Sequence, residues 1–110
     1  MKTVYICSPY RAANAETLKR NIEYAKELTR AVLLRGDAPV TVHLYMTQCL
    51  EESVEAERNI GLAAGQHILR GCGSMVVGCR YGISEGMSQE IQCAKDGNML
   101  IEYADWEEMT

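Results

Sequence analysis

Apolar residues follow two alternating rhythms along this chain. Thr3-Val-Tyr-Ile-Cys7 is a continuous apolar run that stops at Ser8-Pro9, the pattern of a strand buried on both faces. From about Asn14 to Arg35, Leu18, Ile22, Ala25, Leu28 and Val32 recur at helical spacing, while Lys19, Arg20, Glu23, Lys26, Glu27 and Arg30 take the other face. Gly36-Asp37 ends this first helix with the residue best suited to a left-handed cap. Pro39-Val-Thr-Val-His-Leu44 predicts a second short strand leading into a loop. A second helix is expected from about Glu52 to Arg70, with Glu51, Glu52, Glu55 and Glu57 gathered at its electropositive end. Ser74-Met-Val-Val-Gly-Cys79 reads as a third strand and Arg80 to Ser84 as a loop. A third helix from about Glu85 to Asp96 ends at Gly97-Asn98, and Asn98-Met-Leu-Ile-Glu-Tyr103 closes the pattern as a fourth strand.

Strands alternating with helices specify an α/β fold with a parallel sheet. Right-handed crossovers put helices on both faces, which makes three layers. Four strands are expected, with any fifth short and at an edge. The 110 residues suit a single domain, 1–110. In open sheets of this kind the ligand site lies beyond the carboxyl ends of the strands. That rule selects three segments: Ser8 to Ala13, His43 to Gln48, and Arg80 to Met87.

Composition narrows the partners. Eleven Lys and Arg against fifteen Asp and Glu leave a net charge of −4, so no nucleic-acid polymer is expected as partner. No apolar run approaches the ~20 residues of a membrane span, so no membrane is expected either. With one Lys before a short apolar run, no signal peptide is expected. The cysteines (Cys7, Cys49, Cys72, Cys79, Cys93) lack Cys-x-x-Cys pairing, and only His43 and His67 could join them. The expectation is therefore no metal, no cofactor, and reduced thiols in a cytoplasmic protein. Cys7, Cys79 and Cys93 should be largely buried. With six Tyr, one Trp and no Phe, the core must be mainly aliphatic residues, Met and Tyr.

The first selected loop offers the Ser8 hydroxyl, the turn-holding Pro9, and Arg11, whose planar fork suits phosphate or carboxylate. The same residues also make an ordinary turn with a solvated Arg. No Walker or dinucleotide spacing is present, and Gly71-Cys-Gly73 precedes its strand rather than following it. In the third loop Ser84 can cap a helix whose free N–H groups would receive an anion, and Gly86 permits close ligand approach. Glu90 shares a helix face with Met87 and Ala94. A carboxylate there either snorkels at the edge of the apolar stripe or points into the cleft, where the helix N-terminus favours its charged form. Tyr5 is a core residue or the hydroxyl that reaches such a carboxylate. His43 is a ligand contact or a strand-end histidine, and His67 a partly buried structural one. Gly61 and Gly65, four apart, flatten one face of the second helix at roughly 1 kcal/mol each relative to Ala. That face could admit a ligand or a partner helix.

Taken together the loops resemble a known pattern. Val4-Tyr-Ile-Cys-Ser-Pro-Tyr-Arg11, with Asn21 and Ala25 following, resembles the opening of the nucleoside 2-deoxyribosyltransferase-like superfamily. Ser84-Glu-Gly-Met-Ser-Gln-Glu90, with Ala94 and Gly97 downstream, is similar to its Ser-x-Gly-(small or Met)-x-x-Glu signature. The likeness spans essentially the whole chain and is closest to the small bacterial and phage members. It implies a Rossmann-like, flavodoxin-related sheet and a pocket for a nucleoside or nucleotide. By position, Glu90 would be the nucleophile toward a deoxyribosyl carbon and Tyr5 would orient it, while Arg11, Ser84 and Gly86 would hold a 5′-phosphate or hydroxyl. Ser8, Pro9, His43 and Met87 complete the expected substrate-binding set. The resemblance also implies a homo-oligomer, most simply a dimer; the flat Gly61–Gly65 face is a candidate for part of its interface. The chain departs from the enzymes at Gly65, where they carry an Asp, and it has no acid between Cys79 and Ile83 to protonate a leaving base. Glu85 is the nearest substitute. Two readings follow: N-glycosidic cleavage or deoxyribosyl transfer, or non-catalytic binding of a nucleotide or nucleotide-derived signal on the same scaffold.

Overall fold

In the computed structural model, residues 1–104 are described. The strands are β1 (Thr3–Cys7), β2 (Ala38–Val40), β3 (Ser74–Gly78) and β4 (Leu100–Ala104). The helices are α1 (Ala15–Leu34), α2 (His43–Cys49), α3 (Glu55–Arg70) and α4 (Glu85–Asp96). All strand pairs are parallel, in the order β2-β1-β3-β4. The chain steps from β1 to one side to make β2, then crosses back to make β3 on the other side. This reversal at β1 opens a crevice at the carboxyl ends of β1 and β3, the usual ligand position in Rossmann-like folds.

The period of two in β1 divides the core. Val4 and Ile6 pack with Tyr24, Leu28 and Val32 of α1, together with Val76 and Ala104. Tyr5 and Cys7 point to the opposite face and pack with Leu69 of α3, Met75 and Val77 of β3, and Met87, Ile91 and Ala94 of α4. The result is α1 on one side, the sheet between, and α3 with α4 on the other.

Helix ends explain the boundaries. The Asn14 side chain accepts the Thr17 N–H at 2.8 Å and starts α1. Gly36, at φ +94°, ends it in the left-handed region where glycine carries no Cβ penalty. After α4 it is Asn98, at φ 55°, rather than Gly97 that takes the left-handed conformation.

The structure corrects the reading of residues 39–49. The alternation of Val40, Val42 and Leu44 suggests a strand to Leu44, yet β2 ends at Val40 and His43 opens a helix. Thr41 is buried, its hydroxyl 2.6 Å from that of Thr29 on α1, and Val42 enters the core. Those two contacts turn the backbone inward, and the Met46 N–H then bonds the Val42 carbonyl at 2.9 Å. α3 begins at Glu55 instead of Glu52, and the Glu57 carboxylate reaches back to the Glu51 N–H at 3.0 Å. His67 is exposed rather than partly buried. All five cysteines are free; Cys7 and Cys72 are buried, whereas Cys79 and Cys93, expected inside, are only half-buried. The Gly61–Gly65 face is turned toward the rest of the chain, Gly61 toward Leu50 and Gly65 toward Tyr5 and Val42. Among the described residues no helix is long and apolar enough to cross a membrane.

Candidate functional site

At the carboxyl end of the sheet lies a cleft of about 520 Å³, within the range typical of small-molecule sites. Its floor is formed by two residues 85 positions apart. The Tyr5 hydroxyl donates a hydrogen bond to Glu90 Oε2. The parallel register of β1 and β3 sets Tyr5 beside Met75, and α4, returning over that face, brings Glu90 onto the phenol one turn into the helix. The Tyr5 residue is fully buried apart from this opening, and Glu90 is half-buried.

Burial raises the Glu90 carboxyl above the ordinary carboxylate range, while hydrogen bonds from the Tyr5 hydroxyl and the Cys7 thiol pull it back. The same two donors are held protonated. Burial, reinforced by the neighbouring carboxylate, pushes both the Tyr5 phenol and the Cys7 thiol far up. Helix position is therefore not what governs the charge of Glu90; desolvation opposes the charge and two directed donors support it.

The β1–α1 loop supplies one wall. Ser8, which lines the cleft, is 2% exposed, and its buried Oγ has no hydrogen-bond partner. Pro9 and Tyr10 follow along the wall. The Tyr10 carbonyl is tied down by Asn21 Nδ2 at 3.1 Å, and the Tyr10 ring stacks on His43, with centroids 5.2 Å apart and planes 15° from parallel. Burial lowers the His43 pKa, which keeps the ring neutral near pH 7. Arg11 stands at the mouth, its side chain 71% exposed and its Nε 3.9 Å from a Glu52 oxygen. A pair this exposed contributes little stability, so the guanidinium is free to exchange partners.

The N-terminus of α4 forms the other wall. Ser84 Oγ accepts the Met87 N–H at 3.2 Å, so its hydroxyl already serves as a cap. A Cβ on Gly86 would meet nothing within 4 Å. Met87 is part core, part wall: its side chain is buried, and its carbonyl lies 3.8 Å from the Cys7 sulfur. Ser8, Pro9, Arg11, His43, Ser84, Gly86 and Met87 thus share one cleft with Tyr5 and Glu90. Tyr10 and Met46, within the selected segments but not singled out, also line it, and sequence reasoning missed the α3 residues Arg58 and Gln66. The one available signal for the last two was the Gly61–Gly65 face, since positions 58, 61, 65 and 66 lie on one side of a helix. Among the described residues no group of three or more His, Cys, Asp or Glu side chains is placed to hold a metal ion.

Fold and cleft together define an α/β protein of Rossmann-like architecture with a ligand crevice at the switch point of its sheet. The chain belongs to the family described as domain of unknown function DUF7768, whose model matches residues 2–104. Among solved structures it is similar to a 2-deoxyribosyltransferase from the psychrotolerant bacterium Bacillus psychrosaccharolyticus. The TM-score is 0.71 at 12% identity, over 92% of this chain and 70% of that one. At that identity the likeness is one of fold. No curated protein sequence matches this chain.

Proposed function

We propose that this protein processes nucleosides or nucleotides at their N-glycosidic bond, with Glu90 as nucleophile. The observation that carries the reading is the hydrogen bond from Tyr5 to Glu90 on the floor of the cleft. A carboxylate at the ligand end of the sheet, out of bulk water and oriented by a protonated phenol, is equipped to attack an electrophilic carbon. In the first step a Glu90 oxygen bonds to the anomeric carbon as the carbon–nitrogen bond breaks, and the base leaves with the bonding pair and takes up a proton. In the second step water, or the nitrogen of another base, displaces Glu90 from that carbon. The departing base needs a donor, and Glu85 is a carboxyl group on the same cleft. Ser8 Oγ, the open backbone at Gly86 and the Arg11 guanidinium offer donors to a phosphate or hydroxyl at the far end of the sugar.

A second reading is binding without turnover, on the same residues. It is favoured by the absence of any acid between Cys79 and Ile83 and by the burial that disfavours Glu90 in its charged form. One experiment separates the two. Incubation with a panel of 2′-deoxynucleosides, ribonucleosides and their 5′-monophosphates, followed by chromatography, releases free base under the enzymatic reading. Glu90→Gln reduces that release to background and removes any covalent sugar adduct seen by mass spectrometry. Saturable ligand stabilisation with no free base establishes the binder instead.

A further inference from the structure

Arg58 lines the cleft from the first turn of α3, and it is half-buried. Both circumstances count against a cation. The free N–H groups at the start of a helix favour acidic neighbours, and Glu55 and Glu57 are of that kind. Half-burial strips water from the guanidinium, a cost that only a polar partner offsets. Glu51, Glu52, Glu55 and Glu57 all precede Arg58 closely in the chain. Yet among the described residues its side chain forms no ion pair and no hydrogen bond. Packing of the stem would be served equally by an uncharged side chain, so the charge itself lacks a role within the fold.

α3 descends along the cleft wall toward its floor. Gly65 lies beside the Tyr5 hydroxyl. Arg58 precedes it by about two helical turns on the same side, which sets it about 10 Å nearer the mouth at 1.5 Å per residue. Arg11 reaches the same mouth from the β1–α1 loop, its Nε 3.9 Å from the carboxylate of Glu52, just ahead of α3. That distance is too long for a hydrogen bond, and the pair is exposed enough to part. Glu57, the neighbouring carboxylate on the lining, is already engaged by the Glu51 N–H at 3.0 Å. Two guanidinium forks from different walls therefore meet the mouth without a committed acceptor. One carboxylate fills one fork; a phosphate monoester carries close to two charges and three free oxygens, enough for both. We infer that Arg58 is a ligand-binding residue that, with Arg11, holds a phosphate group of the ligand at the mouth, so that the cleft selects nucleotides over nucleosides. The inference rests on the nucleoside reading above and adds to it the phosphate and a residue that recognises it.

The test uses nucleosides and their 5′-monophosphates as probes, reading affinity from the rise in Tm with ligand concentration. Wild type should bind the monophosphate of its preferred base at least about tenfold more tightly than the nucleoside. Arg58→Met keeps an apolar stem and removes the charge. It should lose about tenfold or more for the monophosphate, the worth of a charge-assisted hydrogen bond, and nothing for the nucleoside. Without ligand it should melt no lower than wild type, since a cation leaves the start of a helix. Glu52→Gln, which frees Arg11 from its competing carboxylate, should tighten the monophosphate alone. Equal losses for both probes, no loss for either, or a wild type that holds nucleosides as tightly as monophosphates would each overturn the inference and leave the nucleoside reading standing. An unliganded Arg58→Met that is less stable or fails to fold would also overturn it, because the fold would then account for the arginine, and so would a Glu52→Gln that binds the monophosphate more weakly. Failure of wild type to bind any probe would instead remove the nucleoside reading, and this inference with it.

Discussion

A carboxylate held out of water beside a phenol is subject to opposing pulls, and Glu90 shows both. Burial raises its pKa and the Tyr5 and Cys7 donors lower it, with burial the larger. Because the folded value lies above the unfolded one, the native state binds more protons between the two, and wild-type stability falls as pH rises through the folded pKa. Glu90→Gln keeps the shape and an acceptor for Tyr5 but removes the charge. Its Tm should therefore exceed that of wild type at pH 7, and the gap should close below the unfolded glutamate value near 4.3. A calorimetric pH series checks this, and a variant less stable than wild type at pH 7 would contradict it. His43 works in the opposite direction: held neutral by burial, it withdraws stability as pH falls below its unfolded value. Tyr5→Phe deletes a donor that favours the charged carboxyl, so Glu90 should titrate higher still. The acid limb of the pH–kcat/KM profile for base release should move to higher pH, whereas a purely structural tyrosine would lower activity without moving that limb.

Elements place these residues, and single contacts hold the elements. α4 carries Glu90, and its first turn is closed by Ser84 accepting the Met87 N–H. Ser84→Ala should cost about 1 kcal/mol of stability, the usual value of an N-cap, measured by urea unfolding. Close approach of α1 to β3 depends on Gly78. A Cβ there would lie 2.6 Å from Leu28 Cδ1 and 2.8 Å from the Tyr24 ring and hydroxyl. Tyr24 Oη accepts the Arg80 N–H at 3.0 Å and so anchors the start of the β3–α4 loop. Gly78→Ala should destabilise by roughly 1–3 kcal/mol, as overpacking of a tight core does, and should disturb the loop that leads to the cleft. β1, α1 and α4 could be read from the sequence because their periodicity is long or uninterrupted and Asn14, Gly36 and Ser84 mark their ends. α2 could not. It has seven residues, no side-chain cap and no buried residue of its own, so only its contacts with neighbouring elements make it a helix.

At the scale of the whole molecule, the expectation of a homodimer is a proposal that light scattering at micromolar concentration tests directly. A mass near twice 12.3 kDa is the expected outcome, and a monomer mass would remove it.

Sequence alone determined the parts of this protein that depend on neighbours a few residues away. A period of two and a period near 3.6 each follow from local backbone geometry, so the alternation of strand and helix, and from it the parallel sheet with helices on both faces, could be read without coordinates. Topology rules then pointed to the loops after β1 and β3. Tertiary structure alone decided what depends on pairing across the chain. Tyr5 and Glu90 are joined over 85 positions; the residues alone left Tyr5 as either core or carboxylate partner, and only the resemblance implied the pairing that the fold makes. Thr41 turns inward for a hydroxyl on α1, which overrides a local strand pattern.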